Sequence, residues 1–197
     1  EATEVTLRRR VLLAGSGALP AALLAQQSRP AGRKVLRLPL VSPETTFDPP
    51  QTNTDLNTGT ILAHILEAPL AYDYLARPAR LVPATAIALP EITPDGKQFT
   101  LRIRPGIFFA DDPAFKGRRR ELTAADYVYA IKRFYDPKYN SSDLYIFESL
   151  KLPGLSEVRE QAVKSRTPFA YDTTVEGVRT LDRYTFRVTL GVPNPRF

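Results

Sequence analysis

The sequence predicts an α/β fold with mixed sheets covered by helices, and three stretches carry that prediction. The first is Glu121 to Pro137, which reads as one amphipathic helix with both ends marked. Thr123 suits an N-cap, and Asp126 follows where a carboxylate can reach back to the free backbone N–H groups. Val128, Ile131 and Phe134, with Tyr127 and Tyr135, recur at helical spacing and form one apolar stripe. Lys132 and Arg133 fall in the last turn, where cations favour the negative end of the helix dipole. Asp136-Pro137 stops the helix, because the residue before Pro is pushed out of the α region. The second stretch is Thr93-Pro-Asp-Gly-Lys97 between two β runs, a hairpin signal because Gly supplies the positive φ of the turn. The third is Tyr184 to Leu190, where Tyr184, Phe186, Val188 and Leu190 alternate as a half-buried strand should.

The other elements follow in chain order. Residues 7–25 read as an export leader: a basic start, then about fifteen mostly apolar residues, too short for a membrane span. Gly15, Gly17 and Pro20 argue against a buried helix there. Arg9 and Arg10 before apolar positions suit a twin-arginine leader, with the Sec route as the competitor. Gln26 to Arg33 is a polar tether. Lys34 to Val41 is predicted as the first strand, with Pro39 placing it at an edge or ending it early. Ser42 to Asp55 is rich in turn formers. Asn57 or Thr58 caps a short helix over Gly59 to Glu67, with Ile61, Leu62 and Ile65 on one side and His64 as a structural residue. Ile87 to Ile92 and Gln98 to Ile103 form the hairpin strands. Phe99, Leu101 and Ile103 share one face, and the Thr123–Tyr135 helix is the nearest layer to cover it. Ser141 to Leu150 and a run ending near Lys164 are predicted as two further helices.

Composition narrows the function. Charged residues are 24% and hydrophobic ones 43%, as in a globular chain. The net charge of +6 divides unevenly, for residues 1–33 hold five arginines against two glutamates. Lys116-Gly-Arg-Arg-Arg120 is the one basic cluster. It reads as a solvated loop with no neighbouring aromatic platform, so nucleic acid is not expected as a partner. Cysteine is absent, which excludes disulfides, thiolate chemistry and Cys-based metal sites in these residues. With a single His, no metal site and no cofactor are expected. Asp111-Asp112 reads as an exposed turn, because acid/base work needs two carboxylates in different environments. There is no Walker-type loop, nucleophile elbow or zincin motif, and no catalytic residue is assigned.

Thr93-Pro-Asp-Gly-Lys-Gln-Phe-Thr-Leu-Arg-Ile-Arg-Pro-Gly-Ile-Phe-Phe109, followed by Leu122-Thr-Ala-Ala-Asp-Tyr-Val-Tyr129 and a helix ending in Asp136-Pro137, resembles the signature of the family 5 extracellular solute-binding proteins. These are oligopeptide and dipeptide receptors of bacterial ABC importers. Phe47-Asp48-Pro49 resembles the family's apolar-Asp-Pro element. Val175 to Leu190 resembles its Gly-Val-x-x-Leu-Asp-x-x-Thr-Phe-x-Val-x-Leu stretch. The insertion Ala110 to Arg120 departs from the short family pattern.

The resemblance implies the N-terminal part of a two-lobed periplasmic-binding-protein fold, type II, with the extra domain of the peptide-binding group. Residues 1–33 are then signal peptide and tether. Residues 34–58 begin ligand-binding lobe I, 59–170 form an additional α/β subdomain, and 171–197 return into lobe I. The family's greater length, the lack of any Met and the loop-like run at 191–197 predict an N-terminal fragment. Strand partners for Lys34–Val41 and Tyr184–Leu190 are accordingly expected to be partly missing.

The resemblance further implies a periplasmic, non-enzymatic receptor, monomeric when complete, that delivers peptides or a related solute to ABC permease subunits. The chain just past the first Asp-Pro lines the ligand cleft in the family, which singles out Asn53, Thr54 and Asp55. Asp55 reads equally as an Asx-turn or helix cap. Tyr145, beyond Asp136-Pro137, is a further ligand candidate. Two other readings compete: an exported polymer-acting hydrolase using carboxylates such as Asp95, Asp111 or Glu148, and an exported chaperone-like module.

Overall fold

The computed structural model describes residues 35–52 and 56–194. The chain divides into two compact units, Glu1–Pro39 and Leu40–Phe197. The leader, the tether and the sites Asn53, Thr54 and Asp55 lie outside the described residues. Of the first unit only residues 35–39 are described, and they carry no regular secondary structure.

The second unit is built on an antiparallel four-stranded sheet. Its strands are β3 (Glu91–Ile92), β4 (Gln98–Arg102), β5 (Val178–Thr180) and β6 (Thr185–Thr189), in the order β3-β4-β6-β5. A separate two-stranded ribbon pairs β1 (Leu70–Tyr72) with β2 (Leu81–Pro83). Four α-helices accompany them among the described residues: α1 (Leu56–Ile65), α2 (Ala124–Tyr135), α3 (Leu144–Ser149) and α4 (Leu155–Ser165).

The hairpin forms as its turn residues predict. Gly96 adopts φ +66°, and the Asp95 carboxylate accepts from the Thr93 hydroxyl at 2.5 Å and the Lys97 N–H at 3.1 Å. Phe99, Leu101 and Ile103 are all buried, while Arg102 on the opposite face is exposed. β4 and β6 pair across five residues, setting Leu101 opposite Phe186 and Phe99 opposite Val188. Helix α2 covers this face: Tyr127 stacks on Phe186 at 5.5 Å between ring centres, and Val128 and Tyr135 are buried. Its N-terminus is closed as predicted. The Asp126 carboxylate accepts from the Thr123 N–H at 2.8 Å and from the Thr123 hydroxyl at 3.0 Å.

Three expectations are corrected. Residues 35–41 of the predicted first strand pair with nothing among the described residues, and Val41 is 99% exposed. An apolar run becomes a strand only when another edge takes its N–H and C=O groups, and Pro39 removes one of those donors. The run Ile87–Ile92 keeps only Glu91–Ile92 as ladder, because Pro90 cannot donate. Ala86 bridges Ile103 separately, before that break. β6 is not short of partners, since β4 flanks it on one side and β5 on the other. The sheet therefore joins strands from both sides of residue 170, where the return into the first lobe is expected.

Two glycines let β5 and the end of β6 close on the α3–α4 corner. A Cβ at Gly177 would stand 2.7 Å from the Leu152 carbonyl carbon, and one at Gly191 2.6 Å from the Lys151 oxygen. Backbone contact of this kind admits no side chain, and the Gly177 N–H uses it to donate to Pro153 O at 2.8 Å.

Candidate functional site

The last turn of α2 holds the chain on both sides of it. Arg133 reaches back to Asp48, with Nη2 2.7 Å from Oδ2. Both side chains are mostly buried, at 21% and 26% exposure. The Arg133 guanidinium also lies 4.5 Å from the centre of the Tyr139 ring. Burial works against the Arg133 charge, but Asp48 and Tyr139 outweigh it and hold the guanidinium protonated. This pair fixes the start of the Asp-Pro element. A 3₁₀ turn follows over Pro49–Gln51, in which the Gln51 N–H donates to Asp48 O at 2.8 Å and the Thr52 hydroxyl to Pro49 O at 3.0 Å.

Beyond the candidate residues Asn53, Thr54 and Asp55, α1 is anchored in turn. Asn57 Nδ2 donates to Ser42 Oγ at 2.5 Å, and the Thr45 N–H donates to the buried Thr58 hydroxyl at 3.2 Å. The segment on each side of the predicted contacts is thus tied down by long-range bonds.

Tyr145 stands on α3 with 66% of its surface exposed. Its neighbour Phe147 packs inward against Phe134 at 4.5 Å and Tyr135 at 6.4 Å between ring centres. The end of α2 therefore contacts Asp48 through Arg133 and the helix that bears Tyr145 through Phe134 and Tyr135.

Around this end Lys132, Asp136 and Tyr171 are engaged, while Arg133 Nε, the Tyr135 hydroxyl and Asp143 Oδ1 are buried without a hydrogen-bond partner among the described residues. Lys132 is 7% exposed and donates to Tyr171 O at 2.6 Å and Thr173 O at 2.8 Å. Burial lowers its pKa below the ordinary lysine value, against the pull of Asp172. The Tyr171 hydroxyl donates to Asp136 Oδ2 at 2.8 Å, and burial together with that carboxylate raises its pKa. Arg133 and Lys132 were read from sequence as dipole partners. Their structural task is to bind distant chain, and the only local hint of it is the acidic residue of Asp48-Pro49.

Two of the concavities among the described residues flank α2 and the β1–β2 ribbon. One, of about 350 Å³, opens between α2 and the sheet and is lined by Phe99, Tyr127, Ile131, Phe134 and Phe186. Its rim holds a hydrogen bond between the hydroxyls of Thr85 and Tyr127 at 2.5 Å. The other, of about 620 Å³, has Glu67 and Arg104 as its charged residues.

The hydrolase reading needs a carboxyl with a raised pKa facing another across a cleft. The carboxylates with a resolved shift, Asp73, Asp95, Glu121 and Asp182, all move downward. For Asp95 the cause is the Thr93 hydroxyl and then the Lys97 N–H. Asp112 accepts from the Ala114 N–H at 2.8 Å, as a turn residue does. His64 is exposed, with Nδ1 2.7 Å from Thr60 O, and no cluster of metal-ligating side chains occurs among the described residues. The basic loop differs from its sequence reading, for aromatic partners do reach it. The Arg119 guanidinium lies 3.8 Å from the Phe108 ring centre and that of Arg120 lies 4.5 Å from Phe109.

Residues 80–197 match the family model of the bacterial extracellular solute-binding proteins, family 5 middle region. That span contains α2, its hairpin and the whole four-stranded sheet. No curated protein matches the chain. Among solved structures, the pheromone receptor PrgZ, described with its mode of peptide binding, is 25% identical with a TM-score of 0.57. The match covers 79% of this chain and 27% of that one. OppA of Haemophilus influenzae, in complex with the peptide RPPGFSPFR, is also 25% identical with a TM-score of 0.57, over 76% of this chain and 25% of that one. The periplasmic binding protein DppA of Helicobacter pylori, in complex with the peptide STSA, shares the fold at 22% identity and a TM-score of 0.54, over 76% and 26%. The chain spans about a quarter of the length of these structures.

Proposed function

The chain belongs to the bacterial extracellular solute-binding proteins of family 5, and we propose that it serves as the substrate-binding component of an ABC importer. It captures peptides outside the cytoplasmic membrane, in the periplasm, and hands them to the permease without chemical change. The observation that carries this reading is the family match through α2 and its sheet, in a chain similar to receptors whose structures hold peptides. Asp95, one of the carboxylates named for the hydrolase alternative, has its pKa lowered by the Thr93 hydroxyl, the opposite of what a general acid needs.

An extended peptide is held mainly through its backbone, with side-chain pockets left permissive. In this reading the Asp48–Arg133 pair sets where the chain leaves Pro49 and so supports contacts from Asn53, Thr54 and Asp55. Asp55 meets a cationic group of the peptide, a charge-assisted bond worth about 1.5–3 kcal/mol. Tyr145 offers a ring at the exposed face of α3.

The test uses the protein expressed from its complete reading frame. Purified from producing cells and denatured in acid, it should release short peptides detectable by mass spectrometry. A pool of short peptides should also raise its melting temperature, since a ligand at about 100 times its Kd adds about 2.7 kcal/mol. The absence of both bound peptides and a thermal shift would overturn the reading. Asp55→Asn and Asn53→Ala should weaken peptide affinity. Unchanged affinity with stability lower by about 0.5–2 kcal/mol would make the segment a helix cap instead.

A further inference from the structure

We infer that the larger concavity, beside the β1–β2 ribbon, is an accessory binding site for a small zwitterion with an apolar body, of the size of a dipeptide. It measures about 620 Å³, and four of its ten lining residues are alanines, whose short side chains leave the space open. A volume of this size lies within the range of small-molecule sites. Leu66, Leu70 and Ile107 supply apolar wall, and among the described residues Glu67 and Arg104 are the charged ones.

The backbone that carries these two side chains is held in place. The Glu67 carbonyl accepts from the Tyr127 hydroxyl at 3.2 Å, and the Arg104 N–H donates to Thr85 O at 2.9 Å. Thr85 is buried, and its hydroxyl meets that of Tyr127 at 2.5 Å and the Ala68 carbonyl at 3.2 Å. One chain of bonds therefore links Glu67 to Arg104 by way of Tyr127 and Thr85, and it uses neither charge.

The two charges are not spent within the protein. The Glu67 carboxylate and the Arg104 guanidinium make no ion pair with each other or with another group among the described residues. Glu121, which accepts from the Gly106 N–H just past Arg104, is already taken by Arg183. An acid and a base that share a wall without closing on each other suit a ligand whose own charges are apart. Its ammonium goes to Glu67, and its carboxylate to the fork of Arg104. A free amino acid carries both charges on one α-carbon. A dipeptide separates them by a peptide unit and has apolar side chains to lay against Leu66, Leu70 and Ile107. No residue of this wall is among the contacts proposed for solute capture, so the inference does not rest on them.

The chain has no Trp, so Leu66→Trp, at a position 51% exposed, places a single reporter on this wall. The whole chain is titrated with the dipeptide Leu-Leu, with its N-acetyl form and with its C-terminal amide. Leu-Leu should change the Trp emission to saturation. Either blocked form should bind at least about tenfold more weakly, as the loss of a charge-assisted bond requires. Glu67→Gln should weaken Leu-Leu by the same factor and leave the N-acetyl form unchanged. Arg104→Gln should weaken Leu-Leu likewise and leave the amide unchanged. Calorimetry on the chain without the Trp repeats every comparison, should the reporter disturb the wall.

No change in emission, together with no heat that Glu67→Gln or Arg104→Gln removes, would overturn the inference while leaving the peptide-release test of solute capture standing. Equal affinity for Leu-Leu and its blocked forms would also overturn it. Free leucine binding more tightly than Leu-Leu would assign the wall to a single amino acid and overturn the dipeptide. A signal that Asp55→Asn weakens as much as Glu67→Gln does would belong to the proposed capture contacts and overturn a separate site.

Discussion

Residues 91–135 and 35–56 are both rich in apolar and turn-forming residues, yet they are organised by different forces. Phe99, Leu101 and Ile103 are buried because Gln98–Arg102 finds β6, and α2 closes over that face. Val35, Leu36, Leu38 and Val41 read much like them in sequence, yet each is at least 68% exposed. Apolarity is the same in the two regions, and the ladder partner is what differs. The second region is fixed instead from Thr45 onward, by single polar bonds such as Asp48–Arg133 and Thr45–Thr58.

The largest expected effect tests that contrast directly. Phe186→Ala, at a site 3% exposed, should cost about 3–5 kcal/mol of stability in urea unfolding. Leu36→Ala and Leu38→Ala, which remove the same kind of surface from exposed positions, should stay within about 0.5 kcal/mol of the parent. A large loss at Leu36 or Leu38 would mean that the first segment is packed after all, and the contrast would fail.

What was legible followed the same line. The α2 helix, its Thr123–Asp126 cap, the Gly96 turn and the inward face of β4 are encoded by neighbours in sequence, and all are present. The family resemblance was legible in the same stretch, and the match over residues 80–197 bears it out. The pairing of β6 with β4 was not legible, because strand pairing over so long a separation, as between Leu101 and Phe186, leaves no local mark, whereas β5 meets β6 across a short hairpin. Nor were the tasks of Lys132 and Arg133, whose helical position looks like dipole pairing but whose side chains reach Tyr171, Thr173 and Asp48. Gly177 reads as part of a family pattern. Only the structure supplies the cause, the backbone of Leu152 where a Cβ would sit.

An intermediate effect is expected at the polar corner. Asp48→Asn and Arg133→Met should each destabilise by about 1.5–3 kcal/mol, the range for hydrogen bonds to charged groups. In the double variant the two losses should not add, because they remove one contact. Additive losses would show that each residue acts through something else. The same corner sets an alkaline limit. Tyr171 has its folded pKa raised above the ordinary value of 10.0, first by burial and then by Asp136. Its contribution is therefore complete below about pH 10 and is lost as pH rises beyond that. Tyr171→Phe should lower stability at neutral pH and flatten the alkaline decline, read from melting temperature against pH.

The smallest effect belongs to the feature most visible in sequence, the cap of α2. Asp126 accepts both the backbone N–H and the hydroxyl of Thr123, and it also pairs with Arg120. Thr123→Ala should cost about 0.5–2 kcal/mol, the usual range for an N-cap. Arg120 is 43% exposed on its side chain, so Arg120→Ala should cost no more than about 1 kcal/mol. Salt separates the two contributions. The loss from Arg120→Ala should shrink at high ionic strength, where exposed pairs are screened, while the loss from Thr123→Ala should persist. If both losses vanish in salt, the helix end is held by charge alone and the hydrogen-bonded cap does not matter. If neither changes, the Arg120 side chain contributes through its packing on Phe109 instead, and the ion pair with Asp126 adds nothing measurable.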